Sequence, residues 1–391
     1  PTWVSQPMRW LYQEIFPDRF INEQHDASHW QAIQQIDPIR LWEIRNGLRK
    51  DLIRSLRERL RRDMTLRQES PSMIFRMTGP LNEHALTICF ARRFATYKRA
   101  HLLFTNLERL SKIVNNPERP VQFIYAGKAH PNDTLGQEYI KRIYEISKRP
   151  EFAGKIIFLE NYDMELAKKL VSGADIWLNT PTRPQEASGT SGEKAVMNGT
   201  LNFSVLDGWW AEGYKPEAGW ALKEERTYAD QRIQDELDAE TIYSMLEEEI
   251  IPMFYERNDQ QLPETWVKYI RNTISRVAPY FTMKRMIEDY YSRIYSKMYE
   301  RTRMMRENQY RMARELSSWK QRMIRGWESI EVSDIRMTDS TRKPLVLGES
   351  FLAEITLNLN ELSGTDIGIE IIFGQKVNDQ IDHITYKEEL Q

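Results

Sequence analysis

Cysteine is nearly absent from this chain: Cys89 is the single one among 391 residues. One thiol cannot close an internal disulfide, so the fold must be held by its core, and this usage suits a reducing cytoplasm. An excess of one charge is missing too. Lys and Arg number 55 against 57 Asp and Glu, a net charge of −2, which gives no electrostatic ground for general nucleic-acid binding. No stretch nears the ~18 apolar residues of a spanning helix, and nothing resembles a secretory signal, so no membrane partner is expected. Internal repeats and low-complexity tracts are lacking as well. The chain begins Pro1-Thr2-Trp3 without methionine, which reads as a fragment or a processed chain.

What is present is ordinary globular material: 41% hydrophobic and 29% charged residues, in a length that suffices for two domains. Residues 1–75 read as a helical lead-in. Between Trp30 and Arg62, the residues Ile33, Ile36, Leu41, Trp42, Ile44, Leu48, Leu52 and Ile53 keep helical spacing. The arginines between them are read as a solvated face. From residue 85 the texture changes. Strands are predicted over 85–90, 121–125, 155–159, 176–178 and 201–205, with helices over 97–114, 135–147, 164–171 and 193–198 between them. Short apolar strands alternating with helices predict an α/β fold with a parallel sheet covered on both faces. Further helices are expected over 235–254, 265–277 and 282–325. After Ser329, short runs such as Ile335-Arg336-Met337, 351–359 and 368–373 predict a small β unit of sandwich type, cut short at Gln391. The organisation is therefore 1–75, 76–326 and 327–391.

Ligands on parallel sheets bind beyond the carboxyl ends of the strands, and four segments with suitable chemistry fall there. Glu186-Ala187-Ser188-Gly189-Thr190-Ser191-Gly192-Glu193-Lys194 joins a strand to a helix through small and polar residues. Backbone amides of such a loop, with the helix N-terminus, can cradle an anion beside the lysine. It fits neither the nucleoside-triphosphate P-loop nor the G-x-G-x-x-G turn. Arg92, Arg93, Lys98 and Arg99 crowd the end of the first strand; such a group suits a dianion. Gly127-Lys128-Ala129-His130 and Glu160-Asn161-Tyr162-Asp163 follow the next two strands. Each segment also has a plain structural reading: a tight turn, surface ion pairs, or a tyrosine packed at the rim. Together they outline one basic mouth with a single convergent carboxylate, Glu186.

The runs 92–99, 126–131, 158–162 and 186–190 resemble the α-glucan (glycogen, starch, maltodextrin) phosphorylases in order and spacing, and Asn198-Gly199 with 206–214 is similar to their bacterial branch. The resemblance extends from residue 1 to about 325 and is strongest over 85–220. It implies the C-terminal, Rossmann-like, pyridoxal-phosphate-binding half of a two-domain GT-B glycosyltransferase architecture, with flanking helices. Lys194 would form the Schiff base with pyridoxal 5'-phosphate. Thr190, Ser191 and Arg92 would hold the cofactor phosphate, beside Tyr162. Arg93 and Lys98 would hold the substrate phosphate. Glu186, Ala187, Ser188 and Gly189 would grip the glucose, with Lys128 and His130 on the substrate side; no metal is assigned. The implied reaction is phosphorolysis of a terminal glucose of an α-glucan to glucose 1-phosphate with retention, the cofactor phosphate exchanging a proton with the attacking phosphate.

Three positions depart from the family. Asp163 stands where many relatives have arginine, Glu193 where they often have methionine, and Arg92 where others have lysine. Glu193 sets a carboxylate next to Lys194 in sequence, which would work against imine formation unless it points away. The resemblance also implies a missing N-terminal domain, with its share of the sugar contacts, so this chain alone is expected to show cofactor capacity and little or no phosphorolysis. Relatives tend to dimerise. The alternatives are a GT-B glycosyltransferase using a sugar nucleotide, which commonly has glutamate at the position of Lys194, and a non-catalytic glucan-binding module. An aminotransferase is disfavoured, because no aspartate-plus-arginine arrangement around the lysine is recognised.

Overall fold

A computed structural model describes residues 3–16, 19–222, 228, 230–337, 352–377 and 380–390. The chain falls into two compact units, Pro1–Asp289 and Tyr290–Gln391; the composition boundary at 326/327 lies inside the second.

The first unit is built on a six-stranded parallel sheet of β1 (Leu86–Ala91), β2 (Val121–Ala126), β3 (Ile156–Leu159), β4 (Ile176–Asn179), β5 (Leu201–Val205) and β6 (Gly219–Leu222), in the order 3-2-1-4-5-6. All its strands are buried throughout, as a sheet covered on both faces requires. Alternation within β1 divides the core: Leu86, Ile88 and Phe90 pack in one apolar cluster, Cys89 and Ala91 in another. Burial raises the Cys89 thiol well above its usual pKa, with the Asp175 charge adding to the effect. In the folded chain Cys89 is therefore expected to resist a thiol-disulfide reagent and to react only on denaturation; rapid stoichiometric labelling of the native chain would contradict that.

The covering helices are α1 (Pro38–Leu66), α2 (Leu107–Val114), α3 (Thr134–Ser147), α4 (Met164–Gly173), α5 (Thr190–Met197), α6 (Gln231–Met245) and α7 (Glu264–Arg276). Several differ from expectation for local reasons. The helix expected over 97–114 is two short 3-10 turns and then α2, because Arg99 takes a left-handed conformation at φ 50°. The helix expected over 235–254 runs on to Tyr255 but carries a π turn, Leu246–Ile250, just before Pro252, where proline cannot donate to the preceding turn. Strand β6 went unrecognised because its four residues follow a turn and carry no alternation.

The arginines of α1 also correct the sequence reading. Arg45 and Arg49 are 1% and 2% exposed. Arg45 donates to the carbonyls of Ser172, Ala174 and Asn198, at the C-terminal ends of α4 and α5, where a cation is favoured. Arg49 pairs with Asp175 Oδ1 at 2.7 Å, while Asp175 Oδ2 accepts from Thr87 N at 2.9 Å.

The second unit contains α8 (Ser296–Gly326) and two antiparallel pairs, β7 (Glu331–Met337) with β8 (Ala353–Asn358) and β9 (Ile369–Val377) with β10 (Gln380–Leu390). The single helix expected over 282–325 is interrupted by a π turn, Tyr291–Tyr295, and again at Glu307–Tyr310, where Asn308, Gln309 and Tyr310 have φ of 49°, 55° and 63°. Gly326 and Leu362 are buried in this unit. The start of the strand expected from Phe351 lies outside the described residues.

Candidate anion and cofactor site

In the 3-2-1-4-5-6 order, β1 pairs with β2 on one side and β4 on the other. The winding reverses between β1 and β4, so the loops after them part and leave a crevice at their carboxyl ends. Arg92 is the first residue past β1, and its amide continues the ladder to Ala126 O at 3.0 Å. The loop after β4 runs to Glu186 and α5.

Those two loops meet at one carboxylate. Glu186 Oε2 accepts from Arg92 Nη2 at 2.8 Å and from Lys98 Nζ at 2.5 Å. The three side chains are 10%, 7% and 8% exposed, so water screens the group little. Nε and Nη1 of Arg92 are buried and have no hydrogen-bond partner among the described residues. Burial lowers the Arg92 pKa, against the opposing pull of Glu186 and Tyr97. Arg93 is exposed beside them. Burial would raise the Tyr97 hydroxyl, but hydrogen bonds from Lys98 and Arg93 outweigh it and the net shift is downward. Tyr162 is pushed up to about 12 by burial, with Arg92 opposing. Two cations thus face one carboxylate, with two guanidinium nitrogens of Arg92 unused among the described residues.

The glycine segment forms the adjoining wall. Gly189 caps α5 at φ 90°, a left-handed turn that glycine makes without strain. At Gly192 a Cβ would stand 2.7 Å from Trp209 Nε1, so the missing side chain lets the first turn of α5 lie on the indole. The α5 helix starts at Thr190, three residues earlier than predicted, which places Lys194 one turn in rather than in the first turn. Thr190 and Lys194 are four apart and share a helix face. Lys194 is half-buried and Thr190 exposed; Lys194 Nζ has no hydrogen-bond or ion-pair partner among the described residues. Ser191 Oγ accepts from Trp177 Nε1 at 3.1 Å. Ala187 is exposed and Ser188 half-buried.

Not every predicted residue converges. The Lys128 and His130 side chains are exposed on the loop after β2. That loop is tied to the β1 loop through Phe94 N to Lys128 O at 2.9 Å, and His130 Nδ1 accepts from Asn132 N at 3.1 Å. No hydrogen bond joins either side chain to Arg92, Lys98 or Glu186.

A carbohydrate phosphorylase family model matches residues 49–215, a span that holds all four loops. The chain is 39% identical over 375 residues to the maltodextrin phosphorylase of Thermococcus litoralis, covering 94% of this chain and 43% of that protein. It is 43% identical over 298 residues to the glycogen phosphorylase of Aquifex aeolicus, with 76% and 43% covered. To the glycogen phosphorylase of Mycobacterium bovis it is 36% identical over 375 residues, with 96% and 43% covered. The chain belongs to the carbohydrate phosphorylase family. It spans less than half the length of these curated relatives.

Two departures of this chain from its relatives acquire structural explanations. Asp163 caps α4, its side chain accepting from Leu166 N at 2.8 Å. Glu193 is buried at 6% exposure, about 100° round the helix from Lys194. Other site residues went unrecognised in the sequence. Asp207 Oδ2 accepts from the Glu186 amide at 2.9 Å, and Trp209 N donates to Ser188 O at 2.8 Å. The run Leu206-Asp207-Gly208-Trp209 at the end of β5 was the signal: it too lies at the carboxyl edge of the sheet.

Proposed function

We propose that this chain is the pyridoxal-phosphate-binding half of an α-glucan phosphorylase and acts in phosphorolysis of glycogen or maltodextrin to glucose 1-phosphate with retention. The observation that carries this reading is Arg92: a buried guanidinium with two nitrogens unpaired among the described residues, at the sheet's switch point beside a glycine-capped helix. Buried unpaired donors are costly and call for an anion, and relatives named glycogen and maltodextrin phosphorylase support its being a phosphate.

In this proposal Lys194 anchors the cofactor through its amine, on the same face of α5 as Thr190. Arg92, Thr190 and Ser191 hold the cofactor phosphate, with Tyr162 alongside. When bound, pyridoxal phosphate supplies a phosphate group for proton exchange with the substrate phosphate. Arg93 and Lys98 hold that substrate phosphate. Glu186 and the 187–189 backbone orient the glucose hydroxyls, with Lys128 and His130 at the substrate side. Donors fixed in place before the reaction favour charge that develops during it. Residues 76–326 would form the cofactor domain of a GT-B pair, 1–75 its helical lead-in and 327–391 a small β domain. An N-terminal domain of the same polypeptide would complete the sugar site, in a cytoplasmic enzyme that dimerises. No helix among the described residues is long and apolar enough to cross a membrane.

The test is an absorbance titration of the purified chain with pyridoxal phosphate. A bound-cofactor band saturating at one equivalent is expected for wild type and none for Lys194→Ala. Identical spectra for the two would contradict the assignment and favour a sugar-nucleotide enzyme or a glucan-binding module.

A further inference from the structure

Arg99 is the fourth cation after β1, and neither the cofactor nor the substrate assignment uses it. It is 3% exposed. Its Nε donates to Thr180 O at 2.8 Å and its Nη2 to Pro181 O at 3.1 Å. Its Nη1 meets Asp235 Oδ1 at 3.0 Å and Asp238 Oδ2 at 2.7 Å, both on α6. The same two loops are joined further by Thr180 Oγ1, which donates to Lys98 O at 3.1 Å and Arg99 O at 3.3 Å, and by Thr182 N to Tyr97 O at 2.7 Å. Asp235 is itself fixed, since His101 Nε2 lies 3.0 Å from its Oδ2 and Gln231 Nε2 donates to its Oδ1 at 2.6 Å.

We propose that Arg99, held by Asp235 and Asp238 of α6, is a positioning residue that sets the spacing between Lys98 and Glu186. Ladder pairing of β4 with β5 stops at Asn179, so the carbonyls of Thr180 and Pro181 need donors from elsewhere. One planar guanidinium serves both and still faces two carboxylates. A lysine would balance the same charges but could not span both carbonyls along fixed directions. Lys98 lies one residue before this fork, and Glu186 follows the segment it grips. The helix α6 thereby governs the geometry of a site it does not touch.

Hydrogen exchange on the full chain tests the clamp without any ligand. In Arg99→Lys, and in Asp235→Asn with Asp238→Asn, amides over 180–189 should exchange at least ~10-fold faster, with β1 and β2 unchanged. Arg49→Lys weakens a different buried pair and should leave 180–189 as in wild type. Unchanged exchange over 180–189 in both clamp variants, or acceleration spread equally over β1 and β2, would overturn the proposal. The ligand arm rests on the functional reading above: the dissociation constant for pyridoxal phosphate should rise about 10-fold in Arg99→Lys and stay constant in Arg49→Lys. Failure of the wild type to bind the cofactor would contradict that reading, while the exchange pattern still decides the clamp.

Discussion

Arg92→Met is expected to weaken binding of pyridoxal phosphate by roughly 100-fold while leaving the affinity for pyridoxal, which has no phosphate, unchanged. Arg92 offers two buried nitrogens with no partner among the described residues, and its third is engaged by Glu186. A hydrogen bond between charged groups contributes about 1.5 kcal/mol at the low end, so losing two removes about 3 kcal/mol, or roughly two powers of ten. The comparison with pyridoxal separates loss of a phosphate contact from general damage to the pocket. Equal weakening for both ligands would place the fault in the fold. No change for either would remove Arg92 from the site. Glu186 keeps Lys98 as a partner in the variant, so the chain is expected to stay folded.

Arg45→Met is expected to have the largest effect on stability, about 3 kcal/mol. Two effects compete there. Burial lowers the Arg45 pKa to about 10, and methionine relieves that desolvation cost. Against it, the carbonyls of Ser172, Ala174 and Asn198 lose a shared donor inside the protein. Buried groups left without partners cost about 1–3 kcal/mol each, and removing one member of a buried charged set typically costs about 3–5. The second effect wins. Thermal unfolding of the first unit should fall by roughly 5–10 °C. Arg40→Met, which breaks an exposed pair with Glu14, should move it little. Equal midpoints for the two variants would show that Arg45 is not the staple its contacts describe.

Both arginines bear on how far the sequence could be read. The strands β1 to β5 were legible because a buried parallel strand leaves a short unbroken apolar run. Arg45 and Arg49 fall in the same stripe as Leu41, Trp42, Leu48, Leu52 and Ile53, so their spacing marks them as buried while their residue type suggests the outside. Helical spacing was the better guide. The opposite error occurred at 97–114, where apolar spacing suited a helix but one left-handed residue, Arg99, breaks it. Nothing local in the sequence shows that conformation, because it is held by carbonyls some 80 residues away. For the site, residue type and position at strand ends were enough to select Arg92, Lys98 and Glu186. Their mutual contact was not legible, since it depends on the strand order that sets β1 beside β4. Asp207 was overlooked for a related reason: it supports the Glu186 backbone from a neighbouring loop.

Fixing the cofactor with borohydride and mapping the modified peptide would test the assignment of this crevice most directly. Incubation of the chain with one equivalent of pyridoxal phosphate, followed by reduction and digestion, should yield a single pyridoxyl group on the peptide that carries Lys194. Label spread over the exposed lysines, or none at all, would contradict the placing of the cofactor at the α5 lysine.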